Sequence, residues 1–149
     1  MLVIPPFQPD GSLPPGIHWA DWDEIEARFG WTAHRSHLLK GCLEAVKLLR
    51  AAGCKRIFVD GSFVTSKEMP GDYDACWSID GVDSDKLHPV FLDFTNLRAA
   101  QKALFQGEFF PADIPEGISG KTFLEFFQRD KESGEQKGIV ALDMEAWKP

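Results

Sequence analysis

Residues 56–77 read RIFVDGSFVTSKEMPGDYDACW, and their pattern decides the fold. Arg56 opens a short apolar run, Ile57, Phe58 and Val59, which ends at Asp60 and predicts a strand over 56–60. Gly61-Ser62 turns the chain at once. Pro70-Gly71 marks a second turn, and Asp72-Tyr73-Asp74 then leads into Ala75-Cys76-Trp77, a second strand expected over about 73–79. Between the two turns there is room for a short helix, whose N-terminus Ser62 would cap. Asp72 and Asp74 are two apart on a strand, so their side chains point to one face. Two carboxylates there repel each other and gain from a shared cation. Mg²⁺ suits them, because it takes oxygen ligands from one or two carboxylates plus substrate phosphates. A polar turn after Pro-Gly explains Asp72 but not Asp74, because an acid entering an apolar strand is costly unless paired or metal-bound. Gly61 lets the backbone approach a phosphate closely, and Ser62 adds a hydroxyl donor.

Outward from this stretch, Pro5, Pro6, Pro9, Pro14 and Pro15 make residues 1–16 an extended arm rather than a helix. Val3, Ile4 and Phe7 are the side chains that can pack it onto the body. Trp22, Ile25 and Phe29 fit a short helix ended by Gly30. Thr32 is the N-cap of a longer helix over 33–52, with Leu38, Leu39, Cys42, Leu43, Val46 and Leu49 on its apolar face and Gly53 as its stop. After the second strand, 81–86 is a polar loop. Pro89 suits the first turn of a helix, and 89–105 is helical in pattern with a break near Thr95-Asn96, ending at Gly107. Residues 108–112, EFFPA, read as a third strand. Phe123, Phe126 and Phe127 mark a helix over about 121–129, 130–136 is a charged turn, and 138–144 is a last strand. Alternating strand and helix patterns predict an α+β (α/β layered) fold, a small mixed sheet with helices packed on it. At 149 residues this is one domain, 1–149, with the proline-rich N-terminal arm attached.

The formal charge of −7 disfavours unspecific binding to a nucleic-acid backbone. Cys42, Cys54 and Cys76 are an odd count without metal-type spacing, and suit small core residues in a reducing cytoplasm. No apolar run is long enough to span a membrane, and the first eleven residues are too short and too proline-rich for a signal peptide.

Gly61-Ser62, nine spacer residues and Asp72-x-Asp74, set between two strands, resemble the signature of the DNA polymerase beta-like nucleotidyltransferase superfamily. The match is most similar to the minimal nucleotidyltransferases of toxin–antitoxin pairs, with a spacer one residue shorter than usual there. Glu108-Phe109-Phe110-Pro111-Ala112 resembles the acid, two hydrophobic residues and Pro-Ala of the later strand in that superfamily, with Glu in place of the commoner Asp. The resemblance covers about residues 56–112. It implies that Gly61 and Ser62 grip the phosphates of an NTP and that Asp72 and Asp74 hold Mg²⁺ or Mn²⁺. Glu108 would be the third acid, which orients or deprotonates the attacking hydroxyl. Asp93, Asp113 and Asp143 are its rivals.

Lys67 in the spacer, Lys102 and Lys137 are candidates to neutralise triphosphate charge, each against the plainer alternative of a solvated surface lysine. His34 and His37 have i, i+3 spacing that zinc could use, but no Cys or acid supports it, and a solvated helix face is the better account. Trp77 suits the core better than a stacked base.

The leading expectation is a metal-dependent enzyme that moves an NMP from an NTP to a hydroxyl, ATP among the candidate nucleotides. The resemblance offers two acceptors, a cognate toxin or antitoxin protein and tRNA, and the small size and acidic charge lean towards protein. The alternative is a non-catalytic nucleotide- or partner-binding module on the same fold.

Overall fold

The strand predicted over 56–60 is the middle of a five-stranded mixed sheet. The computed structural model describes residues 4–130 and 133–147. Its strands are β1 (Gly16–Ala20), β2 (Arg56–Asp60), β3 (Tyr73–Trp77), β4 (Gly107–Pro111) and β5 (Gly138–Asp143), in the order β1-β5-β2-β3-β4. β2 pairs antiparallel with both β3 and β5, while β1 and β4 join the outer flanks in parallel. A central strand buries both faces and so reads as a continuous apolar run rather than an alternating one. Ile57 and Val59 enter one core and Phe58 the other.

Three helices cover the first face: α1 (Trp22–Phe29), α2 (Ala33–Ala51) and α3 (Thr95–Phe105). α1 starts at Asp21, whose carboxylate accepts the Glu24 amide, and α2 at Thr32, whose hydroxyl accepts the Arg35 amide. Leu38, Leu39, Cys42, Val46 and Leu49 of α2 pack on Ile57, Val59, Tyr73 and Ala75. The short α4 (Phe123–Phe127), opened by a capping box of Thr122 and Glu125, covers the second face. There Phe123 stacks on Phe110 and Phe127 meets it at a tilt, beside Phe58 and Cys76. No described helix is long and apolar enough to cross a membrane.

Several boundaries differ from the pattern. β3 stops at Trp77 rather than Ile79, whose amide is taken by Asp113 instead of a ladder partner. The stretch 89–105 is two pieces, a 3₁₀ turn at Pro89–Leu92 and α3, and the third strand begins at Gly107. β1 carries no sequence signal of its own, because its partner β5 lies far along the chain and most of the strand is only half-buried. The N-terminal arm packs as expected through Ile4 and through Phe7, which meets Phe29 and Trp31 edge-on or tilted. Val3, and Lys131 and Glu132 of the charged turn, lie outside the described residues.

Cys42, Cys54 and Cys76 are all buried. Burial pushes the Cys42 thiol up to about 12 and Cys54 to about 11, and holds Cys76 well above its ordinary value. The thiolate is the nucleophile, so no cysteine should react with a disulfide reagent such as DTNB in the native protein at pH 8. All three should react in denaturant. Fast native-state labelling of any one would contradict this core.

Candidate functional site

Strand register assembles the site. The antiparallel β2–β3 pairing sets Asp60 opposite Asp74, and the parallel β3–β4 pairing sets Asp74 beside Glu108. Directly paired residues share a face, so Asp60, Asp74 and Glu108 stand in a row across three adjacent strands. The next row inward on that face is Phe58, Cys76 and Phe110. Asp72, two residues before Asp74, faces the same way. One carboxylate oxygen from each of Asp72, Asp74 and Glu108 lies within 4.8 Å of the others, and all three side chains are partly open to solvent. Three hard oxygen donors with open positions fit a divalent cation such as Mg²⁺ or Mn²⁺.

The rival acids stand elsewhere. Asp93 accepts from the amide and hydroxyl of Thr95, Asp113 from the Ile79 amide, and Asp143 from the Glu145 amide at the opposite end of the sheet. His34 bonds the Pro70 carbonyl through Nε2, and no described group of metal-ligand type includes His34 or His37. Trp77 is a core residue against Phe91.

Gly61 is required at its position twice over. Its φ is +89°, a conformation that side chains rarely adopt, and a Cβ there would sit 3.2 Å from Asp74 Oδ2. The turn therefore lies directly against Asp74. Ser62 does not cap a helix, as its position suggested. It begins a single 3₁₀ turn, Ser62–Val64, with no side-chain cap, and its carbonyl accepts from the Thr65 amide and hydroxyl. Ser62 instead lines a cleft of about 540 Å³ with Thr65, Ser66, Lys67 and Lys137. Asp10, Asp130 and Glu135 also border it, so its charge is mixed.

The spacer loop is shaped from beneath by Arg35 of α2, which is wholly buried. Its five N–H groups donate to the carbonyls of Phe29, Phe63, Thr65 and Lys67 at 2.6–3.1 Å. The guanidinium also lies 3.6 Å from the centre of the Trp31 ring. Burial lowers its pKa to about 10, so it stays a cation at neutral pH. Three of the four carbonyls belong to the segment between Ser62 and Asp72, so this one side chain sets the path that joins the Gly-Ser turn to the acids.

Two features escaped the sequence. Asp60, only 3 % exposed, lies beside the acids, and Lys137 Nζ is 3.2 Å from its Oδ1. Its signal, an acid closing an apolar strand, is the counterpart of that of Asp74, an acid entering one. The other feature is a cationic clamp on Glu108. Arg98 Nε is 3.0 Å from Oε2 and Lys102 Nζ 2.9 Å from Oε1. Burial alone would raise the Glu108 pKa, but the Lys102 hydrogen bond and the Arg98 charge outweigh it and hold the carboxyl below its ordinary range. The Arg98 guanidinium also lies 4.6 Å from the Phe110 ring centre. Arg98 is delivered by a left-handed turn, Asn96, Leu97 and Arg98, all with φ between 51° and 60°. Such a backbone costs roughly 1–2 kcal/mol per residue for side chains with a Cβ. Gln101 anchors the helix just beyond, donating to the Val90 carbonyl and accepting from the Phe109 amide.

The model for a family described as "Family of unknown function (DUF6932)" matches residues 5–143. No curated protein and no solved structure matches the chain.

Replacing Arg35 by Met would strip the side-chain donor from four carbonyls, those of Phe29 and Phe63 in buried bonds. Arg35→Met should lower unfolding stability by about 3 kcal/mol or more, read from urea denaturation. Arg35→Lys should recover only part of it, because an ammonium has three donors and cannot span the fork. Equal stability of all three proteins would show that the loop does not depend on this residue.

Proposed function

The chain belongs to the DUF6932 family, whose function is unknown, and from its site we propose that it is a metal-dependent nucleotidyltransferase. The observation that carries the reading is the convergence of Asp72, Asp74 and Glu108 within 4.8 Å of one another, with Asp74 against Gly61. Asp72 and Asp74, with Glu108, would hold Mg²⁺ or Mn²⁺. Bound there, the ion would neutralise phosphate charge and lower the pKa of a coordinated hydroxyl. Gly61 and Ser62 present a backbone edge and a hydroxyl to the phosphates of an NTP, and Lys67 and Lys137 border the same cleft.

In the reaction, an acceptor hydroxyl oxygen attacks the α-phosphorus of the NTP. The α–β phosphoanhydride bond breaks, the nucleoside monophosphate joins the acceptor, and pyrophosphate leaves with the bond electrons. Glu108 would orient the hydroxyl by accepting its hydrogen bond; a carboxyl held below its ordinary range is a weak base, so its proposed role is positioning before proton removal. The remaining catalysis is positioning and charge neutralisation.

The mixed charge of the cleft and the net −7 favour a protein hydroxyl over tRNA as the acceptor. A toxin–antitoxin pair is the setting that the sequence resemblance suggests. The three buried thiols suit a reducing cytoplasm. One observation favours a second reading, a nucleotide- or partner-binding module without catalysis: Glu108 is already neutralised by protein cations.

Asp72→Asn with Asp74→Asn separates the two readings. The exchange keeps size and removes both charges, so the metal-free protein should stay folded, and its melting temperature is the reference for the ligand shifts. Mg²⁺ with NTP should stabilise only the wild type. Labelled NTP, offered with Mg²⁺, total tRNA and the products of neighbouring genes, should label an acceptor with the wild type alone. Transfer by the double variant would sink the mechanism, and unfolding of the metal-free variant would make the aspartates structural.

A further inference from the structure

Both oxygens of Glu108 are bonded by cations from one helix, Arg98 and Lys102 of α3. A divalent ion approaching Asp72, Asp74 and Glu108 therefore meets two positive charges fixed at the third carboxylate. A triphosphate has the opposite relation to the same cations. Arg and Lys are strong donors to phosphate oxygens, and a triphosphate brings several negative charges to a site that is otherwise acidic.

The delivery of Arg98 suits a side chain that changes partners. Its backbone belongs to the left-handed turn 96–98, and Leu97 within that turn is 74 % exposed. The anchor of α3 lies further on, at the buried Gln101, so the turn can rearrange without unseating the helix from β4. Phe110 gives the Arg98 guanidinium an aromatic face that does not depend on its bond to Glu108.

We propose that Arg98 and Lys102 form a counter-ion latch: they hold Glu108 against a metal ion arriving alone, and pass to nucleotide phosphate when metal and nucleotide arrive together. The latch rests on the reading of these acids as a metal–nucleotide site. It makes the third carboxylate available only in the presence of substrate, so the enzyme binds a metal–nucleotide complex in preference to the free ion.

The test is Mn²⁺ binding, followed by the EPR signal of the free ion, in the wild type and in Arg98→Gln with Lys102→Gln. Without nucleotide, the double variant should bind Mn²⁺ about tenfold more tightly than the wild type, the combined size of two partly exposed ion pairs. With an α,β-methylene NTP analogue that cannot be cleaved, the order should reverse, the variant binding the Mn²⁺–nucleotide complex about tenfold more weakly. Unchanged or weaker Mn²⁺ binding by the variant overturns the latch. Tighter Mn²⁺ binding with undiminished nucleotide affinity overturns the transfer to phosphate. Lys102→Gln alone, at a partly exposed lysine, should shift both affinities in the same directions and carries the test if the double variant fails to fold. Asp72→Asn with Asp74→Asn, titrated alongside, separates the two ideas. If that exchange leaves Mn²⁺ binding unaltered, the ion is not at these acids and the metal-site reading fails.

Discussion

The register of β2, β3 and β4 is the constraint on which the rest of the structure depends. One residue of slip in β3 would turn Asp74 into the core beneath α2 and Ala75 out to the acid row. Burial on both faces prevents it. Tyr73, Ala75 and Trp77 fill the side covered by the long helices, while Cys76 sits between Phe58 and Phe110 on the other. The same apolar contacts that stabilise the sheet thus set a row of carboxylates at its end, and the acidic cluster is a consequence of the packing.

Such a row is expensive in charge, and the fold meets the cost with cations from separate elements. Lys137, at the start of β5, reaches Asp60 from one side, and Arg98 and Lys102 reach Glu108 from the other. Arg35 works differently. Wholly buried, it is matched by backbone carbonyls and shapes the loop rather than neutralising the acids. These roles are not interchangeable. A cation against an acid at the sheet end can exchange partners with a ligand, whereas a guanidinium bonded five times to backbone cannot leave without unfolding the loop.

Local chemistry was legible in the sequence wherever it was written within a few residues. The cap Thr32, the stops Gly30 and Gly53, and the core strands all follow from spacing and turn residues. The break near Thr95-Asn96 was legible too, though not its left-handed form over residues 96–98. Asp72, Asp74 and Glu108 could be named from short motifs, but only the β3–β4 register brings Glu108 rather than Asp93, Asp113 or Asp143 to the other two. β1 was beyond reach because its partner β5 lies far along the chain; Asp60 carried a local signal but its cation Lys137 is distant, and the clamp on Glu108 depends on the backbone turn that aims Arg98. The Ser62 cap failed for a local reason, since the turn after Gly61 is too short to be capped as a helix.

The most direct measurement of the central claim is a crystal structure grown with Mn²⁺ and the uncleavable NTP analogue, with anomalous data collected for manganese. The account predicts an anomalous peak within direct coordination distance of a carboxylate oxygen of each of Asp72, Asp74 and Glu108, with the analogue's phosphates against the Gly61-Ser62 turn. Manganese bound away from these three residues, or a nucleotide seated elsewhere on the protein, would contradict it.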